Sequence, residues 1–260
     1  MALLLPFSTG SSLPNFRFRR TPLRSSSERQ ALFNRVAPFY DNLTDLLSLG
    51  QHRIWKRMSV SWSGAKMGDS VLDLCCGSGD VTFLLSEKVE VEGKVIGLDY
   101  AKDQLSVASS RQKLKSKACY MNIEWVVGDA LDLPFSNGHF DAITMGYGLR
   151  NVVDKHKAMK EICRVLKTGS RLSILDFNKS AYPVTSSQSQ PSLQEMVIVI
   201  VVVPGASRFG LVDDYKYLKR SIREFLTGDE LEKLALDVGF SDARYYEIAG
   251  GLMGNLVATR

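Results

Sequence analysis

The chain has 260 residues, of which 45% are hydrophobic, so it can bury a sizeable core as one globular domain with an extension. Its net charge is +5, but four arginines and no acidic residue lie in the first 24 residues, so the rest carries a net charge of only +1. This nearly neutral body does not indicate a nucleic-acid-binding protein.

Residues 1–27 have the composition of a transit peptide, with four arginines, six serines and no acidic residue. The arginines come late in the segment and the serines begin early, which favours a chloroplast leader over a mitochondrial one. The apolar residues 3–5 are too few for a secretory signal. We therefore predict a disordered, cleaved leader and chloroplast localisation; the alternative is a plain disordered tail.

The segment that follows is predicted to be helical, because apolar residues recur near helical spacing between residues 28 and 62. The cysteines form no C-x-x-C pair and the histidines are scattered, so we predict free thiols and no metal site. These residues are Cys75, Cys76, Cys119, Cys163, His52, His139 and His156.

The central feature of the sequence is a glycine turn between a strand and a helix. Residues 71–74 form a short apolar run of the length of a buried parallel strand. Gly77 and Gly79 then permit a sharp turn and the close approach of a ligand. Asp80 is predicted to cap the helix that begins at Val81. This order is typical of the first half of a doubly wound nucleotide-binding sheet.

Two further predicted strands end in acidic residues. Residues 94–98 lead to Asp99, which lies 20 residues after Gly79, a spacing that suits the ribose hydroxyls of an adenosine ligand. Residues 123–127 lead to Asp129, where a carboxylate could meet the adenine edge. In open α/β sheets, ligands bind at these carboxyl ends of the strands.

A fourth strand, residues 140–145, ends at Gly146, so the predicted strands share one ligand-binding edge. The predicted cofactor-binding residues are Asp73, Gly77, Ser78, Gly79, Asp99, Asp129, Ala130 and Gly146.

The ligand that suits this edge is an adenosine with a positive centre. A dinucleotide fingerprint requires a third glycine at position 82, where this chain has Thr82. A pyrophosphate would favour a basic residue near the turn, but Asp80 is there. The Asp-Leu-x-Cys-Gly-x-Gly-Asp pattern resembles the first motif of methyltransferases that use S-adenosylmethionine (SAM), so SAM is the predicted cofactor. A nicotinamide dehydrogenase is the alternative.

The remaining elements alternate between helices and strands. They are a helix over 103–117, a loop over 134–138, a helix capped by Asp154 and closed by Gly169, a strand over 171–177, a helix that begins in a Thr227–Glu230 capping box and stops at Gly239, and strands over 245–248 and 255–259. The apolar run 196–203 is ambiguous: its β-branched residues favour a strand, whereas the family resemblance given below implies a helix.

Three motifs in register resemble the ubiquinone/menaquinone biosynthesis C-methyltransferases from about residue 28 to the C-terminus. They are Tyr40-Asp41 with Ser48, His52 and Trp55; Gly148-Leu149-Arg150-Asn151-Val152; and residues 164–169 with Leu175-Asp176. The chain departs from the family pattern at Leu43-Thr44, at Thr168 and Ser170, and in the uniformly apolar run 197–203.

The resemblance implies an α/β, Rossmann-like class I SAM-dependent methyltransferase fold. Its seven-stranded sheet is mostly parallel, has helices on both faces, and has an antiparallel last strand. The implied organisation is a helical lid over residues 28–66 and a methyltransferase domain over 67–260, with a substrate-cap insertion near 180–226. Four lid residues are implied to contact substrate, namely Tyr40, Asp41, His52 and Trp55. The alternative is that the aromatic residues of this segment pack onto the sheet.

The activity implied by the resemblance is methylation of a quinol ring carbon. Together with the plastid-like leader, it implies methylation of 2-phytyl-1,4-naphthoquinol in phylloquinone synthesis. The expected partners are this lipophilic substrate, an upstream quinone reductase and a membrane surface contacted peripherally, without nucleic acid. The alternatives are the mitochondrial ubiquinone pathway and a non-catalytic scaffold of a quinone-synthesis assembly.

Two residues are the predicted catalytic groups. The guanidinium of Arg150 stays charged and can face the oxyanion of a quinolate, unless a salt bridge to a surface acid occupies it. Asn151 can orient the phenol or a water. The general base is left open between Asp41, His52 and a water held by Asn151.

Overall fold

A computed structural model describes residues 51–115, 117–179, 217 and 220–260. The predicted leader, the candidates Tyr40 and Asp41, and the apolar run 196–203 lie outside the described residues. The domain boundaries, including most of the lid and of the substrate-cap insertion, stay predictions.

Within the described residues, seven strands form one sheet. They are β1 (Ser70–Leu74), β2 (Lys94–Asp99), β3 (Ile123–Val127), β4 (Phe140–Gly146), β5 (Leu166–Phe177), β6 (Asp242–Ile248) and β7 (Met253–Thr259). The strand order is β3-β2-β1-β4-β5-β7-β6, with β7 antiparallel to both of its neighbours and the other pairings parallel. This confirms the predicted mostly parallel, seven-stranded sheet with an antiparallel last strand.

The strand order reverses beside β1, which pairs with β2 on one side and with β4 on the other. The connections after β1 and β4 therefore leave the sheet in opposite directions and open a crevice between them. This is the switch point at which doubly wound sheets bind their ligands. The predicted glycine turn follows β1 and so lies at this crevice.

Helices cover both faces of the sheet, as predicted. They are α1 (His52–Trp62), α2 (Asp80–Val89), α3 (Lys102–Leu114), α4 (Lys155–Val165) and α5 (Gly228–Asp237). Alternate residues of β1 point to opposite faces: Val71 packs with Val60 of α1 and Val89 of α2, whereas Leu72 packs with Met159 of α4. All of these side chains are at least 95% buried, so each face has its own apolar core.

The predicted helix caps before α4 and α5 are confirmed. The Asp154 carboxylate accepts a hydrogen bond from the backbone N–H of Lys157 at 2.9 Å. Thr227 and Glu230 exchange the two hydrogen bonds of a capping box, one from each backbone N–H to the other's side chain. These caps depend on residues three positions apart, which is why the sequence alone reveals them.

The predicted end of α4 is wrong. Gly169 does not close the helix, which ends at Val165, and β5 begins at Leu166. Leu166 is fully buried and pairs with Phe140 of β4, so burial and strand pairing outweigh the local glycine signal. Gly169 instead lies inside β5 with φ +79°. Helix α3 also ends at Leu114, three residues before its predicted end.

Candidate active site

A cavity of about 220 Å³ lies at the carboxyl ends of β1, β2 and β4. Seven of the eight predicted cofactor-binding residues line it: Asp73, Gly77, Ser78, Asp99, Asp129, Ala130 and Gly146. The predicted catalytic residue Asn151 also lines it. The sheet thus brings residues from four separate stretches of the chain to one place, as the positions of the strand ends predicted.

Asp73 lies under the floor of this cavity as a buried carboxylate, with only 1% of its surface exposed. Its two oxygens accept hydrogen bonds from the hydroxyls of Thr82 on α2 at 2.6 Å and Thr144 on β4 at 2.9 Å. Burial raises the pKa of Asp73 to about 7, which outweighs the opposing effect of the two hydroxyls. Thr82, at the position of the missing third glycine, therefore ties the start of α2 to β1.

Asp99 holds the glycine turn in place. Its Oδ2 accepts from the backbone N–H of Gly77 and its Oδ1 from that of Ala101, both at 2.8 Å. Burial raises the pKa of Asp99 despite these hydrogen bonds. Each carboxylate oxygen can accept more than one hydrogen bond, so Asp99 can anchor the turn and still accept from ribose hydroxyls.

Gly79 shapes the turn without lining the cavity. Its φ of 90° is in the left-handed region that favours glycine. A Cβ at this position would lie 2.6 Å from the indole ring of Trp125, which packs over the turn from β3. The Trp125 Nε1–H donates to Gln112 Oε1 at 2.6 Å, which fixes the ring. Gly79 is therefore a structural requirement of the turn.

The predicted cap by Asp80 is wrong. Gly79 is the N-cap residue of α2, and Asp80 is its first helical residue with no capping hydrogen bond from its side chain. The Asp80 carboxylate instead pairs with Lys56 of α1 and Arg111 of α3, each at 2.6 Å. Burial alone would raise the pKa of Asp80, but these two cations hold it at about 2. The three side chains connect α1, α2 and α3 beside the cavity.

Two residues that the sequence analysis missed adopt strained conformations at the cavity. Cys75 and Tyr147 have φ of 57° and 59°, although neither is a glycine. Both line the cavity, directly after β1 and β4. A Cβ on Gly148 would lie 2.7 Å from the Cβ of Cys75, so the two connections touch. Such strain concentrates at functional sites, and their places at strand ends are the one signal that the sequence offered.

Arg150 lies in a different environment from the predicted one. Its side chain is 4% exposed, does not line the cavity, and pairs with the equally buried Asp176 at 2.6 Å. The same Nη1 donates to the backbone oxygen of Tyr147 at 2.8 Å, and the guanidinium lies over the Phe177 ring at 5.2 Å. The salt bridge considered as the alternative exists, but its acid is buried at the end of β5. Arg150 therefore holds the Tyr147 connection in place.

Asn151 is the predicted catalytic residue that does reach the cavity. Its Nδ2 donates to the backbone oxygen of Tyr147 at 3.1 Å, and its Oδ1 accepts from the hydroxyl of Tyr217 at 3.0 Å. The Tyr147 oxygen thus accepts from both Arg150 and Asn151. This fixes the orientation of the Asn151 amide at the cavity wall.

The two described substrate candidates of the N-terminal segment lie outside the cavity lining. Trp55 is 6% exposed and packs with Tyr147, Leu175 and Met253. This agrees with the alternative that the aromatic residues of the segment pack onto the sheet. His52 is 3% exposed at the start of α1. Both side chains are buried, and the residue of α1 that does line the cavity is Lys56.

The profile of the ubiE/COQ5 methyltransferase family matches residues 23–260 of this chain. The chain belongs to this family. A curated relative in Arabidopsis thaliana, the chloroplastic 2-phytyl-1,4-beta-naphthoquinone methyltransferase, is 63% identical over 253 residues, which cover 97% of this chain and 95% of the relative. The 2-phytyl-1,4-naphtoquinone methyltransferase of Nostoc sp. strain PCC 7120 is 45% identical, with coverage of 89% and 98%.

Solved structures support the fold. A SAM-dependent methyltransferase from Aquifex aeolicus matches with a TM-score of 0.58 at 20% identity, covering 84% of this chain and 96% of that chain. A SAM-dependent methyltransferase of Methanococcus maripaludis, described as putative, gives a TM-score of 0.61 at 17% identity, with coverage of 88% and 94%. Membership of this family makes the chain a SAM-dependent methyltransferase, which rules out the dehydrogenase alternative.

The cavity fits SAM in its charge. Asp73 and Asp99 are carboxylates whose pKa values burial raises, so a cationic ligand would offset part of the cost of ionising them. Asp129, just after β3, and Asp80, which is paired with Lys56 and Arg111, are further acidic groups of the lining. The residues that would hold the adenosine are the glycine turn, Asp99 and Asp129.

We predict that Asp99→Asn raises the Kd for SAM by at least about tenfold, because one hydrogen bond to a charged acceptor contributes about 1.5–3 kcal/mol. The substitution also places an amide donor against one of the backbone N–H groups that the carboxylate now accepts, so a lower Tm accompanies it. Calorimetric titration with SAM measures the affinity. The matched control is Asp242→Asn, an exposed residue on β6, the edge strand at the other end of the sheet from β3 and β2. Equal affinities of the two variants would contradict the assignment of Asp99.

Proposed function

We propose that this chain is the SAM-dependent C-methyltransferase that methylates the ring of 2-phytyl-1,4-naphthoquinol in the last methylation of phylloquinone synthesis. The observation that carries the proposal is the 63% identity, over nearly the whole chain, to a relative named for this naphthoquinone. The cyanobacterial relatives named for the same substrate support it further. None of these names refers to a benzoquinone, so the ubiquinone pathway is not favoured, and the family's enzymes do not favour a non-catalytic scaffold.

The chemistry requires the reduced form of the ring. When bound, SAM supplies an electrophilic methyl group. The ring carbon that accepts this methyl must be electron-rich, which loss of a phenolic proton from the quinol achieves. A new carbon–carbon bond then forms as the carbon–sulfur bond breaks, and the ring carbon loses its hydrogen as a proton. The protein contributes by aligning the ring, excluding water and holding the charge that develops on oxygen.

Asn151 is the residue that we assign to the phenolic oxygen. It lines the cavity, and its amide is fixed between Tyr147 and Tyr217. Of the three candidates for the base, His52 lies outside the cavity lining and Asp41 lies outside the described residues. We propose a water held by Asn151 as the proton acceptor, because Asn151 lines the cavity. Arg150 serves as a positioning residue, because it holds the Tyr147 oxygen that Asn151 also binds.

The proposed location is the chloroplast, which the acid-free leader and the chloroplastic name of the Arabidopsis relative support. None of the helices in the described part of the chain is long and apolar enough to cross a membrane. The proposed partners are a membrane that carries the phytyl substrate, contacted peripherally, and a quinone reductase that supplies the quinol.

We predict that the enzyme methylates the reduced quinol and leaves the quinone unchanged. The oxidised ring is electron-poor and has no phenolic proton to lose, so its carbon cannot attack the methyl group. The measurement is transfer of label from SAM to demethylphylloquinone with and without dithionite. Equal turnover in both conditions would overturn the mechanism. Turnover of benzoquinols alone would instead assign the chain to the ubiquinone pathway.

Arg150→Lys tests the positioning role. Lysine keeps the charge opposite Asp176 but lacks the planar guanidinium that lies over Phe177 and aims Nη1 at both Asp176 and the Tyr147 oxygen. We expect kcat to fall by about 10–100-fold, since a misplacement of about 1 Å can cost about 10² in rate, while the Kd for SAM stays within about threefold.

The matched control for this variant is Arg244→Lys on β6, where the arginine side chain is 71% exposed. Steady-state kinetics and calorimetric titration give the two quantities separately. A parallel loss of SAM affinity and of kcat would make Arg150 a cofactor residue, and unchanged kcat would remove it from the mechanism.

A further inference from the structure

A second concave surface lies beside the cavity, between α1, α2 and the C-terminal end of α3. It encloses about 810 Å³, and we call it the cationic groove. Six basic side chains line it: Arg53, Lys56, Arg57, Arg111, Lys115 and Lys117. Two acidic side chains among the described residues, Asp80 and Glu87, line it with them. Residues 25–260 carry a net charge of only +1, so the excess of basic over acidic side chains in this groove exceeds that of the body as a whole.

Both acids of the groove are bound to its cations. Asp80 pairs with Lys56 and Arg111 at 2.6 Å, and Glu87 pairs with Lys117 at 2.5 Å. Among the described residues that line the groove, the basic side chains therefore outnumber the acidic ones by four. A surplus of this size attracts a polyanionic surface.

The rim of the groove is apolar as well as basic. Leu114, which lines the groove at the end of α3, is 83% exposed. Met121, which follows the lining residue Tyr120 in the chain, is 86% exposed, and we call these two residues the rim. Lys115 and Lys117 lie between them in the chain. Exposed apolar side chains next to lysines are typical of segments that lie on a membrane, where the lysines meet anionic headgroups and the apolar groups enter the interface. Nucleic acid offers phosphates but no apolar layer for these two side chains.

The groove and the cavity share a wall. Lys56 and Asp80 line both, so the surface that would face a membrane adjoins the place where the methyl transfer is proposed. A phytyl-bearing quinol dissolves in lipid. If the groove contacts the membrane, the substrate moves only a short distance from the lipid to the cavity.

We propose that the cationic groove and its rim, Leu114 and Met121, dock this protein onto a membrane rich in anionic lipids. The lipophilic substrate in this inference rests on the proposed function, whereas the binding of vesicles is measured without any substrate. It commits to a lipid surface because the basic groove and the apolar rim occur together.

The test is co-sedimentation of the full chain with vesicles of phosphatidylcholine, with and without phosphatidylglycerol. The groove variant combines Arg57→Glu with Lys115→Glu, two exposed residues outside the catalytic machinery. Its matched control combines Lys160→Glu on α4 with Lys233→Glu on α5, two exposed lysines on helices that cover the opposite face of the sheet. All variants carry the same arginine-rich leader, so its contribution cancels.

We expect wild type and control to bind anionic vesicles and the groove variant to lose at least about tenfold in partitioning, with binding that weakens as salt rises. Leu114→Gln with Met121→Gln should lower the binding that remains at high salt. Equal partitioning of groove and control variants would overturn the proposal. Equally strong binding to a duplex oligonucleotide, lost in the same groove variant, would overturn the assignment to lipid.

Turnover separates this proposal from the proposed function. The groove variant should match wild type with the quinol in neutral detergent micelles and fall at least about tenfold below it with the quinol in anionic vesicles at limiting lipid. Equal rates in vesicles would contradict docking through the groove. An absence of turnover by wild type in both micelles and vesicles, with the difference in vesicle co-sedimentation retained, would contradict the proposed function alone.

Discussion

The site depends on the burial of one carboxylate, Asp73, at the end of β1. The hydroxyls of Thr82 and Thr144 hold its oxygens, so one side chain joins β1, β4 and the first turn of α2. Burial raises its pKa to about 7 from the usual 3.8, so the folded protein holds this proton more tightly than the unfolded chain. Its stabilising contribution is fully present below about pH 4 and is lost as the pH rises through 7.

The free-energy cost of ionising the buried Asp73 is consistent with a site that receives a cation. Asp99, at the end of the next strand, is also a carboxylate whose pKa burial raises, and it fixes the glycine turn through Gly77 and Ala101. Without a bound cation the cavity keeps two acids in an environment that disfavours their ionised forms. The same residues that shape the turn therefore favour a positively charged adenosine ligand over a pyrophosphate. The burial of Asp73 and Asp99 thus determines both the shape of the site and its selectivity.

The sequence predicted what is local and missed what is distant. The strand ends, the glycine turn and two helix caps depend on residues within a few positions of one another, so their patterns were enough. The sequence predicts a cap for Asp80, because its position before a helix is local information. Its actual partners, Lys56 and Arg111, lie 24 and 31 residues away, so no local pattern reveals them. Arg150 was assigned to the substrate because nothing local reveals that β5 buries Asp176 beside it. Long-range ion pairs need the packed sheet before they can be assigned.

The ionisation of Asp73 tests this account most directly. Carbon-13 NMR of aspartate-labelled protein, with the Asp73 signal assigned by its loss in Asp73→Asn, gives the midpoint of titration of this carboxyl group. We expect a midpoint close to pH 7 in the ligand-free protein and a lower midpoint with SAM bound, because a cation in the cavity favours the ionised form. A midpoint near pH 4 without ligand, or one that SAM leaves unchanged, would contradict a site organised around a buried carboxyl group whose ionised form a bound cation stabilises.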